Sequence, residues 1–147
     1  MSPGVPPPPA PTGGDRGTPV LLDANVLIMT VKERFPLDQE VHRLIEDGFL
    51  AVPSSVRREL ERLSRRGLFA ARGALALAEK YRQWETDLEG DAALETLGRE
   101  VGAWIVTMDR ELRDRLETAR VGVLYPCGRQ RLCSSRSFMP RRPDAVP

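Results

Sequence analysis

The chain has 147 residues, 41% of them hydrophobic, with 22 basic and 21 acidic side chains and a formal net charge of +1. That length fits one domain with a real core, and the near-neutral charge excludes a protein that gathers nucleic acid by bulk charge alone. Two cysteines and one histidine make a zinc site unlooked-for. No apolar run reaches the roughly 18 residues that read as a membrane span, so a soluble cytoplasmic protein with no membrane partner is expected.

Residues 1–18, MSPGVPPPPAPTGGDRGT, have no apolar periodicity and no apolar centre of the signal-peptide kind; they read as a flexible, partly polyproline leader. The ordered part then alternates short apolar runs with helical patterns. The runs are VLL (20–22), FLAV (49–52), WIVT (104–107) and VGVLY (121–125). The helical segments are Leu37 to Asp47, Ser54 to Arg66, Leu68 to Trp84, Asp91 to Val101 and Arg110 to Ala119. Strand–helix alternation implies an α/β fold with a mostly parallel sheet covered on both faces. The domain is expected to span 19–132, with 133–147 a flexible basic tail.

In such sheets ligands bind beyond the carboxyl ends of the strands. Asp23 directly follows the first run, and Asp109 follows WIVT with only Met108 between. Two carboxylates at one sheet edge can serve a metal ion. In SSVRRELERL, Val56, Leu60 and Leu63 mark the buried face. Glu59 lies on that side and Glu61 is about 200° further round, toward solvent. A carboxylate on an apolar face is costly unless compensated, and a metal ion would compensate it. Asp91 opens its segment after Gly90, and by spacing alone it reads first as a helix cap.

His42 follows Val41 and precedes Leu44 and Ile45; a solvated or half-buried structural histidine is expected there. Cys127 and Cys133 in a cytosolic-looking chain are expected to be free thiols. Arginines cluster at 57, 58, 62, 65, 66 and 72 against Glu59 and Glu61, and again at 129, 131, 136, 141 and 142 against Asp144. Such stretches suit a phosphate backbone, though solvated helix faces look alike.

The ordered motifs LLDANVLI, VPSSVRRELERL, GDAALETLGREVGAWIVTMDRELRDRL and GVLYPCGRQRL resemble the PIN-domain nucleases. They are similar to the small prokaryotic and archaeal members related to VapC toxins and to the PIN endonucleases of ribosomal RNA processing. The likeness covers residues 19–132. It implies a three-layer α/β/α sandwich and a metal-dependent endoribonuclease leaving 5′-phosphate and 3′-hydroxyl ends. It carries the family's four acids onto Asp23, Glu59, Asp91 and Asp109 as catalytic metal ligands, with Asn25 and Thr107 orienting ligands or phosphate. Ala24, Ala92 and Met108 depart from the family's frequent threonine, aspartate and asparagine.

Hard oxygen donors select Mg2+ or Mn2+. The expected partners are RNA, a second copy of the chain, and either an antitoxin or a ribosomal particle. SSVRRELERL and GRQRL tilt the reading toward ribosomal RNA processing; the alternatives are a VapC-like toxin ribonuclease and a non-catalytic RNA-binding module. A haloacid-dehalogenase phosphotransferase or a receiver domain is disfavoured. Asn25 stands where the former needs a second aspartate, and neither Lys32 nor Lys80, the only lysines, lies at a later strand end.

Overall fold

The computed structural model describes residues 17–135. Six strands and six helices run in the order β1 (Thr18–Leu22), α1 (Ala24–Glu33), α2 (Leu37–Leu44), β2 (Gly48–Pro53), α3 (Ser54–Arg65), α4 (Phe69–Ala78), β3 (Arg82–Trp84), α5 (Gly90–Val101), β4 (Trp104–Val106), α6 (Arg110–Thr118), β5 (Val123–Gly128) and β6 (Arg131–Ser134). They form one sheet in the order β3-β2-β1-β4-β5-β6, parallel except for β6. Helices flank it, giving the expected α/β/α sandwich.

The apolar runs become strands because they are buried on both faces. Val20, Leu21, Leu22, Ala51, Val52, Ile105, Val106, Val123 and Leu124 are wholly inaccessible. Gly122, ahead of β5, sits where a Cβ would come within 2.6 Å of the Trp104 ring; only glycine fits that approach.

Three elements depart from the sequence expectations. α1 is a helix that no amphipathic pattern announced: Ala24 and Val26 through Thr30 are all buried, so apolar residues stand almost all round it. It packs on α3 and α4. The expected helix from Leu68 to Trp84 ends at Ala78, and Arg82–Trp84 instead adds a strand beside β2, pairing Ala51 with Arg82 and Pro53 with Trp84. Gln83 Nε2 donates to the carbonyls of Ala78 and Tyr81 at 3.0 and 3.1 Å, which closes that turn.

The third departure is the chain's end. β6 turns back on β5 through Gly128–Arg131, with a register shift between Pro126 and Gly128. The hairpin brings the Cα atoms of Cys127 and Cys133 to 5.7 Å, and the two are joined in a disulfide. The expectation of free thiols is therefore corrected: a default drawn from compartment could not see the antiparallel return that makes the cysteines neighbours. Leu132 is fully buried, its N–H donates to Glu40 Oε1 and its carbonyl accepts from Arg43. Of the expected leader and tail, only Gly17–Thr18 and Cys133–Ser135 are among the described residues; Arg136, Arg141 and Arg142 lie outside them. His42 is exposed and bonds through Nε2 to the Gly48 carbonyl at 2.9 Å. Among the described residues no helix is long and apolar enough to cross a membrane.

Candidate active site

The chain leaves β1 toward β2 on one side and reaches β4 on the other, so a switch point lies between β1 and β4. Asp23 and Asp109 stand at the carboxyl ends of these two strands. Both are N-caps. Asp23 caps α1, its Oδ1 accepting from the Ala24 N–H at 2.8 Å. Asp109 caps α6, its Oδ1 accepting from Glu111 and Leu112 at 2.9 and 3.2 Å. The cap geometry that makes aspartate favourable here also holds each carboxylate at the sheet edge.

Thr107 ties the two together. Its side chain is completely buried; its hydroxyl donates to Asp23 Oδ2 at 2.8 Å and accepts from the Asp109 N–H at 3.1 Å. The Asp23 N–H in turn donates to the Val106 carbonyl. Both oxygens of Asp23 are thus fixed.

The helices supply the other wall. A cleft of about 150 Å3 is lined by Asp23, Asn25, Ser55, Val56, Glu59, Gly90, Asp91, Leu94 and Asp109. All four acids singled out in the sequence border it, together with Asn25. Glu61 does not; it is exposed, as the helical period requires. Asp91 is not a cap: Glu89 holds the cap position of α5, which has no side-chain cap. Instead Asp91 is bonded by Arg115 at 2.9 Å, and Arg115 also reaches Glu95 at 3.8 Å. Glu59 is paired with Arg62 at 3.6 Å. The loop leading to Asp91 is moored to α3 by Arg58, which pairs with Glu89 and reaches the carbonyls of Thr86 and Leu88, and by Ser54, which both donates to and accepts from Thr86.

Electrostatics records the same convergence. Burial pushes the Asp23 carboxyl up from an ordinary 3.8 to about 6; the Thr107 and Ala24 hydrogen bonds oppose this, and the charges of Asp91 and Glu59 add to it. Ser55 is the residue that sequence reasoning missed. It is 4% exposed, borders the cleft, and its hydroxyl has no hydrogen-bond partner. In the sequence it is one of two serines opening a helix, and nothing distinguished it from Ser54.

The donor set consists of carboxylate, hydroxyl and amide oxygens, the chemistry that suits magnesium or manganese. Among the described residues, no three acidic, histidine or cysteine side chains stand close enough to form a finished cage. Asp91 and Glu59 each face the cleft with one carboxylate oxygen paired, Oδ2 with Arg115 and Oε1 with Arg62.

A mostly parallel α/β/α sandwich with an acidic cleft at its switch point defines the class. A family model described as "PIN like domain" matches residues 20–131, and the chain belongs to that family. It is 35% identical over 111 residues to ribonuclease VapC9 of Archaeoglobus fulgidus, a match covering 71% of this chain and 80% of that protein. The structure of the PIN domain endonuclease Utp24 superposes with a TM-score of 0.67 at 17% identity, covering 80% of this chain and 91% of that one.

Proposed function

We propose that this protein is a metal-dependent endoribonuclease. The observation that carries the reading is the meeting of Asp23, Glu59, Asp91 and Asp109 along one cleft, with Asp23 raised partly by two of the others. Relationship to a ribonuclease over most of the chain supports it. Magnesium or manganese, held by Asp23 and Asp109 from the strands and by Glu59 and Asp91 from the helices, would supply positive charge at the scissile phosphodiester and make water a better nucleophile.

The protein's own part is positioning. Thr107 keeps Asp23 Oδ2 in place and sets the Asp109 backbone, while the two helix N-termini hold Oδ1 of each aspartate. Asp109 Oδ2 accepts no hydrogen bond from a described residue, so it is available to a ligand. Asn25 is exposed at the cleft mouth and suits a phosphate oxygen; buried Thr107 does not, and it serves as an orienting residue only. Hydrolysis joins the water oxygen to phosphorus and breaks the bond to O3′.

The test is cleavage of mixed RNA by the purified protein with manganese, magnesium or chelator. Wild type should cut only with metal, and Asp23→Asn or Asp109→Asn should abolish cleavage while the protein stays folded. Wild-type rates from the Asp23→Asn protein would sink the site. Likeness to VapC9 favours a toxin held by an antitoxin partner, whereas the SSVRRELERL and GRQRL motifs favour ribosomal RNA processing. Growth arrest on expression, relieved by the product of a neighbouring gene, would decide for the toxin.

A further inference from the structure

The arginine run on α3 takes little part in the cleft, and the fold shows where it leads. Glu59, Arg62 and Arg66 follow one another at i, i+3 and i+7, one face of a helix. Arg66 lies about 10 Å beyond Glu59 along the axis at 1.5 Å per residue. There α3 stops in a tight, fully bonded turn. The Gly67 N–H donates to the Ser64 carbonyl at 3.1 Å and the Leu68 N–H to the Leu63 carbonyl at 3.0 Å, the paired closure of a Schellman motif. Gly67 has φ +95° with open space around it, so glycine is required there by backbone conformation alone.

α4 begins two residues later with Phe69, which is 82% exposed. A phenyl ring standing in water adds nothing to the core, yet its backbone opens α4 directly after the bonded turn. Its neighbours are cationic. Arg65, Arg66 and Arg72 are all exposed, and none makes an ion pair with a described residue, unlike Arg58, Arg62 and Arg115 nearer the cleft.

We infer that the α3–α4 turn is a clamp for single-stranded RNA: Phe69 stacks on a base while Arg65, Arg66 and Arg72 take adjoining phosphates. A strand held there can run down α3 to the acidic cleft. An exposed aromatic ring among arginines that pair with no described residue fits the way single strands are held without regard to sequence, and a duplex keeps its bases stacked out of reach. The direction of the strand rests on the nuclease reading; binding itself does not, and can be measured without cleavage.

The experiment uses the full chain in chelator, with a labelled oligouridylate and a duplex RNA of equal length, read by fluorescence anisotropy across a salt series. Phe69→Ala should raise the single-strand Kd about fivefold or more, leave the salt slope unchanged, and hardly alter duplex binding. Phe69→Trp should keep wild-type affinity, with its indole emission quenched by RNA. Arg65→Gln combined with Arg66→Gln should lower the salt slope by about 1.4, roughly 0.7 for each phosphate released. Unchanged affinity in Phe69→Ala overturns the clamp, as does a Phe69→Ala effect on self-association alone, which would make the tip a protein contact. Adding manganese separates the two readings. RNA bound through Phe69 but never cut rejects the nuclease and keeps the clamp; RNA cut with the same KM by wild type and Phe69→Ala does the reverse.

Discussion

The two walls of the cleft are built differently. On the strand wall, Asp23, Thr107 and Asp109 are locked by helix caps, a buried hydroxyl and the sheet itself. On the helix wall, Glu59 and Asp91 are held by half-exposed arginines. Caps and buried bonds preorganise, because their partners are fixed before any ligand arrives. Exposed ion pairs contribute little and exchange readily. On the proposed reading the strand wall would serve as the fixed reference, and the helix wall would adjust to an entering cation.

This contrast gives Thr107 weight although it is fully buried and does not line the cleft. Thr107→Val removes the donor to Asp23 Oδ2 and the acceptor for the Asp109 N–H. A hydrogen bond to a charged group contributes about 1.5–3 kcal/mol, so the variant should melt lower and cleave at least about tenfold more slowly. The lost bond is one that lowers the Asp23 pKa, so the acid limb of the pH–rate profile should also move upward. Thr107→Ser should restore all three. A Thr107→Val enzyme with a wild-type profile would show that the strand wall is not the reference.

The helix wall gives smaller effects. Glu59→Gln should weaken cleavage several-fold at limiting metal, whereas Glu61→Gln should be silent, since only Glu59 borders the cleft. Equal losses would mean that the wall acts through general charge. Arg115→Gln should change stability by less than about 1 kcal/mol, as expected for an exposed pair. It should lower the metal concentration needed for half-maximal rate, because the guanidinium no longer competes with a cation for Asp91. A raised requirement would show instead that Arg115 holds Asp91 in its working position.

Legibility in the sequence followed the same divide. Asp23 and Asp109 could be placed because strand ends are marked by apolar runs, and Glu59 because Val56, Leu60 and Leu63 fix the phase of α3. Asp91 was ambiguous: a first-turn aspartate is what a cap looks like, and only the folded chain shows Arg115 bonded to it. α1 was hidden by burial on nearly every side, β3 by its short span at the end of an alanine-rich helix, and the disulfide by a hairpin whose pairing is not local. Ser55 had no signal at all, since its lack of a partner is a property of packing. Position and spacing suggested a metal site at Asp23, Asp109 and Glu59, and family likeness alone implied a role for Asp91.

The smallest expected effect is the most diagnostic for Asp23. Its carboxyl is raised from 3.8 to about 6 in the folded protein, so between those values the folded state holds a proton that the unfolded chain has released. Stability in chelator should therefore fall as pH rises through about 4 to 6 and stay reduced above it. The penalty at neutral pH is on the order of 2 kcal/mol, allowing for partial solvent access. Asp23→Asn removes the charge but leaves the buried Thr107 hydroxyl without its carboxylate acceptor, a loss of about 1 kcal/mol. The net gain of about 1 kcal/mol amounts to a few degrees in Tm, present above pH 6 and reversed near pH 4, where only the lost hydrogen bond remains. Saturating metal should reverse the order: wild type gains about 2.7 kcal/mol at a hundred times its Kd, and the variant, one ligand short, gains much less. Melts of both proteins at two pH values, with chelator and with manganese, check each step. A variant that melts lower than wild type at neutral pH in chelator would make Asp23 chiefly the cap of α1, and the strand wall a structural feature before it is a catalytic one.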